Sequence, residues 1–307
     1  MKTAYLFPGQ GAQFVGMGRD FYERFPEARS LFDQTAGVLG SEFIDMIFNG
    51  PENRLQVTEY TQPAILTVSA AIFRVIEKLG LKPAALAGLS LGEYSALVAA
   101  GSITFEEALP LVQKRGIFMQ DAVAEGEGSM AAIMGLTHDQ VEQVCHDARS
   151  QGLVSPANYN CPGQIVISGQ VGAVDLAVKL AKEAGAKKVT GLKVSAPFHC
   201  ALLQPVEEKL ARELDKTMIM EPGVPVVFNV SAQLATDPAQ IKENLVKQVS
   251  SPILWEQSVR NLIAEGIDCF IGLGPGNSLS RLMKRIAPEL RTISVEKVED
   301  IDQLIAK

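Results

Sequence analysis

The chain has 307 residues, 47% hydrophobic and 21% charged, enough to bury a large core. Its 28 Lys and Arg against 35 Asp and Glu leave a net charge of −7, which gives no support for nucleic-acid binding. The start MKTAYLFPGQG lacks the apolar stretch of a secretory signal, and no apolar run approaches the roughly 18 residues of a membrane span. A soluble, cytoplasmic protein without a membrane or nucleic-acid partner is therefore expected. Cys145, Cys161, Cys200 and Cys269 show no C-x-x-C spacing and fit reduced thiols better than a disulfide framework.

Ala4–Phe7 reads as a short strand that stops at Pro8-Gly9-Gln10-Gly11, a loop rich in backbone freedom. Apolar residues at helical spacing (Ile65, Leu66, Val68, Ile72, Val75, Ile76, Leu79) predict a helix over 63–79, with Pro63 in its first turn and Gly80 at its stop. Residues 84–88 read as a buried strand and 91–99 as a helix. Thr104 and Glu107 supply a T-x-x-E start for a further helix towards Val123, with Pro110 about two turns inside it.

The middle of the chain alternates differently. Strands are predicted over 130–135, 164–169 and 187–194, and helices over 137–148, opened by T-x-x-Q, and 171–184. Gly126-Glu127-Gly128 and Pro197 bound this self-contained run. The expectation is a small α+β subdomain, 128–196, inserted into a larger α/β body made of 1–127 and 197–307. Beyond Pro197 the pattern predicts a helix over 202–214, a strand over 225–230, helices over 238–249 and 253–264, and a strand over 268–273. A glycine-rich turn then leads into another helix, and 292–295 is a last strand.

Ser90 stands in Gly88-Leu89-Ser90-Leu91-Gly92, a G-x-S-x-G spacing. Spacing alone also fits a tightly packed turn among small residues. A strand before and a helix after, however, expose a serine Oγ above a sheet and aim the next backbone N–H at a developing oxyanion. The serine needs a base, and three histidines are available. His138 and His146 lie on one polar helix and read as solvated. His199, in VSAPFHC beside Pro197, is the candidate. Three isolated histidines, with no H-E-x-x-H or similar cluster, argue against a dedicated zinc site.

The FPGQG loop lies at the carboxyl end of a strand, where ligands bind, and its N–H groups around Gln10 offer a second oxyanion donor. GLGPGNS lacks both the lysine of a P-loop and the G-x-G-x-x-G form, and reads as a structural turn near the site. Arg115 sits among Val112, Ile117, Phe118 and Met119 and before Gly116, so its guanidinium is expected to be enclosed and to need an anion. That anion is either a protein side chain or a substrate carboxylate.

With these residues in view, the sequence resembles the malonyl-CoA:acyl-carrier-protein transacylases, within the acyltransferase family of fatty-acid and polyketide synthesis. The stretches that carry the resemblance span nearly the whole chain: LFPGQGAQFVGMG, TQPAILTVSAA, SLGEYSALVAAG, QKRGIFMQDA, GSMAAIMG, NYNCPGQIVISG, APFH and GPGNSLSRLMKR. It implies an α/β-hydrolase-like body with a ferredoxin-like insert. It further implies that Ser90 is the acylated serine, His199 its base, Gln10 and Leu91 the oxyanion donors, and Arg115 the partner of the malonyl carboxylate. Gln248 matches the residue whose backbone carbonyl orients the histidine, Phe198 an aromatic associated with malonyl selection, and Asn160 and Asn277 positions of the site wall. The implied substrates are malonyl-CoA and acyl carrier protein, acting on a monomer without metal or other cofactor, coenzyme A thioester being a substrate. Leu89 departs from the family's usual G-H-S-L-G, and Cys161 and Cys200 stand where serine is common. A thioester hydrolase would use the same elbow, without needing a thiol acceptor or Arg115.

Overall fold

The computed structural model describes residues 2–192, 194 and 196–305. Among them, ten strands form two sheets. The larger sheet is built from β1 (Thr3–Phe7), β2 (Ala85–Gly88), β7 (Val226–Val227), β8 (Leu234–Ala235), β9 (Cys269–Leu273) and β10 (Arg291–Val295), in the order β10-β9-β1-β2-β7-β8. All its pairings are parallel except β7 with β8. The smaller sheet is wholly antiparallel, in the order β4-β5-β3-β6, from β3 (Gly128–Met134), β4 (Val154–Cys161), β5 (Gln164–Gln170) and β6 (Lys188–Gly191). This is the expected mixed α/β class, with a parallel sheet and a separate antiparallel unit.

Strand alternation divides the large sheet's two faces. On one side Tyr5, Phe7, Leu86, Ile271 and Val295 pack into the main core. On the other, Ala4, Leu6, Ala85, Ala87 and Phe270 face Trp255, Val259 and Met283. Four helices, α1 (Arg19–Arg24), α2 (Pro26–Leu39), α3 (Ser41–Asn49) and α4 (Glu52–Leu55), fill a region to which apolar spacing assigns nothing. They lead into α5 (Thr58–Lys78), which begins five residues before the predicted start and carries Pro63 in its interior. Its first turns, TEYTQ, look polar but lie under the next long helix, where a Cβ on Gly116 would sit 2.8 Å from the Thr58 carbonyl oxygen. Tertiary burial, invisible to apolar periodicity, extends the helix past the one hydrogen bond that Pro63 removes.

The helix after β2 is α6 (Gly92–Ala99), followed by α7 (Phe105–Gln120), whose Thr104 hydroxyl accepts the Glu107 N–H at 3.3 Å. It stops three residues short of Val123. The small sheet packs α8 (His138–Ala148), opened by a capping box from Thr137 and Gln140, and α9 (Val171–Glu183) against Ala131, Ile133, Ile165 and Ile167. β4 was not predicted: Pro156 and two register shifts interrupt it, which an edge strand tolerates. The strand predicted to reach Val194 ends at Gly191, and Lys193 and Ser195 lie outside the described residues. Gly128 and Pro197 touch, since a Cβ on the glycine would lie 2.4 Å from the proline Cδ.

The remaining helices are α10 (Gln204–Leu214), α11 (Pro238–Gln248), α12 (Trp255–Ala264), α13 (Ser278–Ile286) and α14 (Asp302–Ile305). The strand predicted over 225–230 shrinks to Val226–Val227, and the chain turns back to form β8, also not predicted. The two sheets are joined through Ile253, which donates its N–H to the Ala157 carbonyl at 2.8 Å and accepts from the Tyr159 N–H at 2.9 Å. No helix of the described residues is long and apolar enough to cross a membrane.

The tightest constraint is at the end of β2. A Cβ on Gly88 would lie 1.9 Å from the Gly92 backbone, and one on Gly92 would lie 2.1 Å from the Phe7 oxygen. Gly37, in α2, faces open space. In urea denaturation, Gly88→Ala is expected to cost at least about 3 kcal/mol or abolish folding, whereas Gly37→Ala should gain roughly 0.5–1 kcal/mol.

Candidate active site

Leu89, Ser90 and Leu91 turn the chain between β2 and α6, and Ser90 sits in the left-handed region at φ 53°. This cramped reversal lifts the hydroxyl above the carboxyl end of the sheet. Asn229, fully buried after β7, clamps both sides of the turn: its Oδ1 accepts the Ser90 N–H at 2.7 Å and its Nδ2 donates to the Gly88 carbonyl at 2.8 Å. Across the site His199, also at a positive φ of 59°, lies with Nε2 2.8 Å from Ser90 Oγ. Its Nδ1 is 2.8 Å from the backbone oxygen of Gln248. A carbonyl only accepts, so Nδ1 carries the proton, and the serine hydroxyl donates to Nε2.

Helix ends frame this pair. Gln248 closes α11, where carbonyls lack intrahelical partners and the helix presents its negative pole. That pole favours positive charge on the imidazole. Leu91 is the N-cap of α6, at the positive pole. Neither the Leu91 nor the Gln10 backbone N–H donates to a protein acceptor among the described residues. Gln10 is brought here because its loop crosses the elbow, with Gly9 so close that a Cβ would lie 2.3 Å from the Leu89 oxygen. The Gln10 side chain donates to Thr58 Oγ1 at 3.1 Å.

Arg115, 1% exposed, enters from α7. Nη1 donates to Gln62 Oε1 at 2.7 Å; Nη2 donates to Gln248 Oε1 at 2.7 Å and to Ser90 Oγ at 3.2 Å. The guanidinium lies 5.4 Å from the Tyr94 ring centroid, and its buried Nε has no partner among the described residues. None of their carboxylates lies within ion-pair distance of it. A buried cation is thus held by neutral acceptors alone, beside the serine hydroxyl.

These groups open into a cleft of about 560 Å³ between the two sheets. Asn160 and Phe198 line it, as does Leu89, which also borders a neighbouring groove lined by Arg281 and Arg285. Asn277 is not brought to the cleft: it is exposed at the start of α13. The glycine turn before it packs on the loop after β1, where a Cβ on Gly274 would lie 2.7 Å from Pro8 Cδ. His138 and His146 are remote, the first near Glu256 and the second beside Asp147. Cys161 and Cys200 are buried. Sequence reasoning gave no role to Gln62, Asn229 or Glu93. The available signal was a polar side chain inside an apolar run, as in TQPAIL and LGEYSALV.

Burial, and then the Arg115 cation, push the His199 imidazole from 6.5 down to about 3, against the upward pull of the Gln248 carbonyl. Burial likewise lowers the pKa of Arg115. His199 is therefore neutral across the working range and able to accept a proton. Its folded pKa lies below the unfolded value, so its contribution to stability is present above 6.5 and declines as pH falls towards 3. Between pH 7 and 5 the wild type is expected to lose about 2 kcal/mol more than His199→Gln, measured by urea denaturation. Equal losses would place the imidazole in a solvated setting.

Known proteins match nearly the whole chain. Residues 4–299 match the model of the acyl transferase domain. The malonyl CoA-acyl carrier protein transacylase of Bacillus subtilis (strain 168) is 48% identical over 305 residues, covering 99% of this chain and 96% of that protein. An acyl carrier protein S-malonyltransferase from Vibrio cholerae O1 biovar eltor superposes with a TM-score of 0.96 at 44% identity, covering 99% and 100%. A malonyl-transacylase in complex with its type II PKS acyl-carrier protein superposes equally well, with a TM-score of 0.96, 40% identity and coverage of 99% and 98%. With its match spanning both sheets and the elbow between them, this chain belongs to the acyl transferase domain family.

Proposed function

We propose that the protein transfers the malonyl group of malonyl-CoA to the phosphopantetheine thiol of acyl carrier protein, through a malonyl ester on Ser90, supplying extender units for fatty-acid synthesis. The observation that carries this reading is Arg115, a buried guanidinium 3.2 Å from the nucleophile with only neutral partners. A site for a plain acyl group has no use for such a cation; a substrate carboxylate supplies the directly paired anion that Arg115 lacks.

Ser90 Oγ attacks the thioester carbonyl while its proton passes to His199 Nε2. The N–H groups of Gln10 and Leu91 receive the oxyanion, and the Gln248 carbonyl at the end of α11 stabilises the imidazolium. Collapse of the tetrahedral adduct breaks the C–S bond, and coenzyme A leaves as a thiol with the proton from His199. The carrier thiol then repeats these steps in reverse order. The malonyl carboxylate also offsets the Arg115 charge that helps hold the imidazole pKa down, so the donor that fits best restores basicity to His199. Donor and product are both thioesters, so the site must exclude water rather than drive the reaction. Asn160 and Phe198 serve as walls of the cleft in this scheme.

A transfer assay with malonyl-, methylmalonyl- and acetyl-CoA against acyl carrier protein, with free acid measured in parallel, tests the reading. Malonyl transfer should dominate and free malonate should stay minor. Arg115→Ala should lower malonyl transfer on the order of 100-fold or more, with acetyl transfer changed by about threefold at most. Equal losses on both donors would remove the carboxylate role, and free malonate as the main product would make the protein a hydrolase.

A further inference from the structure

Glu93 lies in the first turn of α6, fully buried. One carboxylate oxygen accepts the backbone N–H of Asn229 and the other accepts Gln248 Nε2. Each of these partners reaches the reaction centre. Asn229 holds the Ser90 N–H and the Gly88 carbonyl. Gln248 holds the Ser90 carbonyl through Nε2 at 3.0 Å, Arg115 through Oε1, and His199 through its backbone oxygen. One carboxylate therefore stands behind nucleophile, base and cation without touching any of the reacting atoms.

We propose that Glu93 is a positioning residue for acyl transfer, fixing the side-chain amide of Gln248 so that its oxygen faces Arg115 and the guanidinium stays aimed at the substrate carboxylate. The inference rests on the malonyl-transfer reading of Arg115. Its logic is electrostatic. With the amide as it stands, Nε2 meets an anion and Oε1 meets a cation. Turned over, the amide would set oxygen against carboxylate and NH2 against guanidinium, two repulsions in a buried site. Glu93 thus supplies the counter-charge of Arg115 at one amide's remove, which leaves the guanidinium without a directly bound carboxylate and open to an incoming one.

Both Glu93 oxygens meet N–H donors, the arrangement that satisfies the ionised form, whereas an O–H would have no acceptor there. Burial outweighs the two donors and the Arg115 charge, and leaves the carboxyl raised to about 8. Of the groups around it, Arg115 is the cation, His199 is neutral, and the Tyr94 phenol is pushed up to about 12 by burial. Assays are therefore run on the alkaline side of the Glu93 value.

Glu93→Gln keeps the shape and replaces one acceptor oxygen with an NH2, so either the Asn229 N–H or Gln248 Nε2 must face a donor. The test measures single-turnover acylation of Ser90 by malonyl-CoA and acetyl-CoA, with melting temperature as a check on folding. Glu93→Gln should lower the malonyl-over-acetyl preference by about tenfold or more, and Glu93→Asp, which retains the charge, should recover most of it. Should Glu93→Gln fail to fold, Gln248→Met decides: it deletes the amide but keeps the backbone carbonyl, and should show the same lost preference. Equal losses on both donors in the folded variant, or an intact preference in Gln248→Met, would overturn the proposal. Arg115→Ala, run in parallel, separates the two ideas: if it leaves the preference intact, the carboxylate reading has failed, whereas a malonyl-selective loss there with none in Glu93→Gln removes only the role of Glu93.

Discussion

The contact between Gly88 and Gly92 governs the rest of the site. The end of β2 and the start of α6 approach so closely that neither position has room for a methyl group, and the turn between them forces Ser90 to a φ of 53°. A non-glycine residue held there costs of order 1–3 kcal/mol. The surrounding network offsets that cost: Asn229 grips the turn at Ser90 N–H and Gly88 carbonyl, and Gln248 grips the Ser90 carbonyl. The strain fixes where the hydroxyl points. Because α6 starts immediately after it, the same turn sets a helix N-terminus under the position where the proposed mechanism develops negative charge.

The second governing feature is desolvation. Arg115 and His199 are both buried, and the site holds the first as a cation and the second neutral. The guanidinium sits among the oxygens of Gln62, Gln248 and Ser90, while the imidazole donates to a neutral carbonyl. Burial, and then the nearby Arg115 cation, disfavours a positive charge on the imidazole, so the histidine stays neutral in the resting protein. The proposed transfer requires that histidine to become charged briefly. The negative end of α11 and an anionic substrate both favour the charged form, and both act where a free histidine would have only water.

Much of this was legible in the residues, for identifiable reasons. β1, β2 and the elbow were marked by glycine punctuation around short apolar runs. The caps of α7 and α8 were visible because Thr104 and Thr137 stand three residues before Glu107 and Gln140. Among three histidines, elimination placed His199 near Ser90, and the structure sets them 2.8 Å apart. What stayed hidden depends on tertiary context. β4 carries Pro156 and Asn158 and shows no clean alternation, the first turns of α5 are polar in composition but buried, and β8 is two residues long. Gln248 was reachable only by resemblance, since a backbone carbonyl leaves no trace in side-chain identity. Asn277 was carried over the same way, and it is not among the residues that line the cleft. Glu93 is visible in the sequence only as a charge interrupting an apolar run, and its buried contacts account for that mismatch.

The central claim is that Ser90 carries the acyl group between two thiols. Intact-protein mass spectrometry after mixing with malonyl-CoA, followed by addition of phosphopantetheinylated acyl carrier protein, tests it most directly. The account predicts a single malonyl adduct on the Ser90 peptide, absent in Ser90→Ala, that disappears as the same mass appears on the carrier. An adduct that persists in Ser90→Ala, or one that discharges only to free malonate, would contradict it.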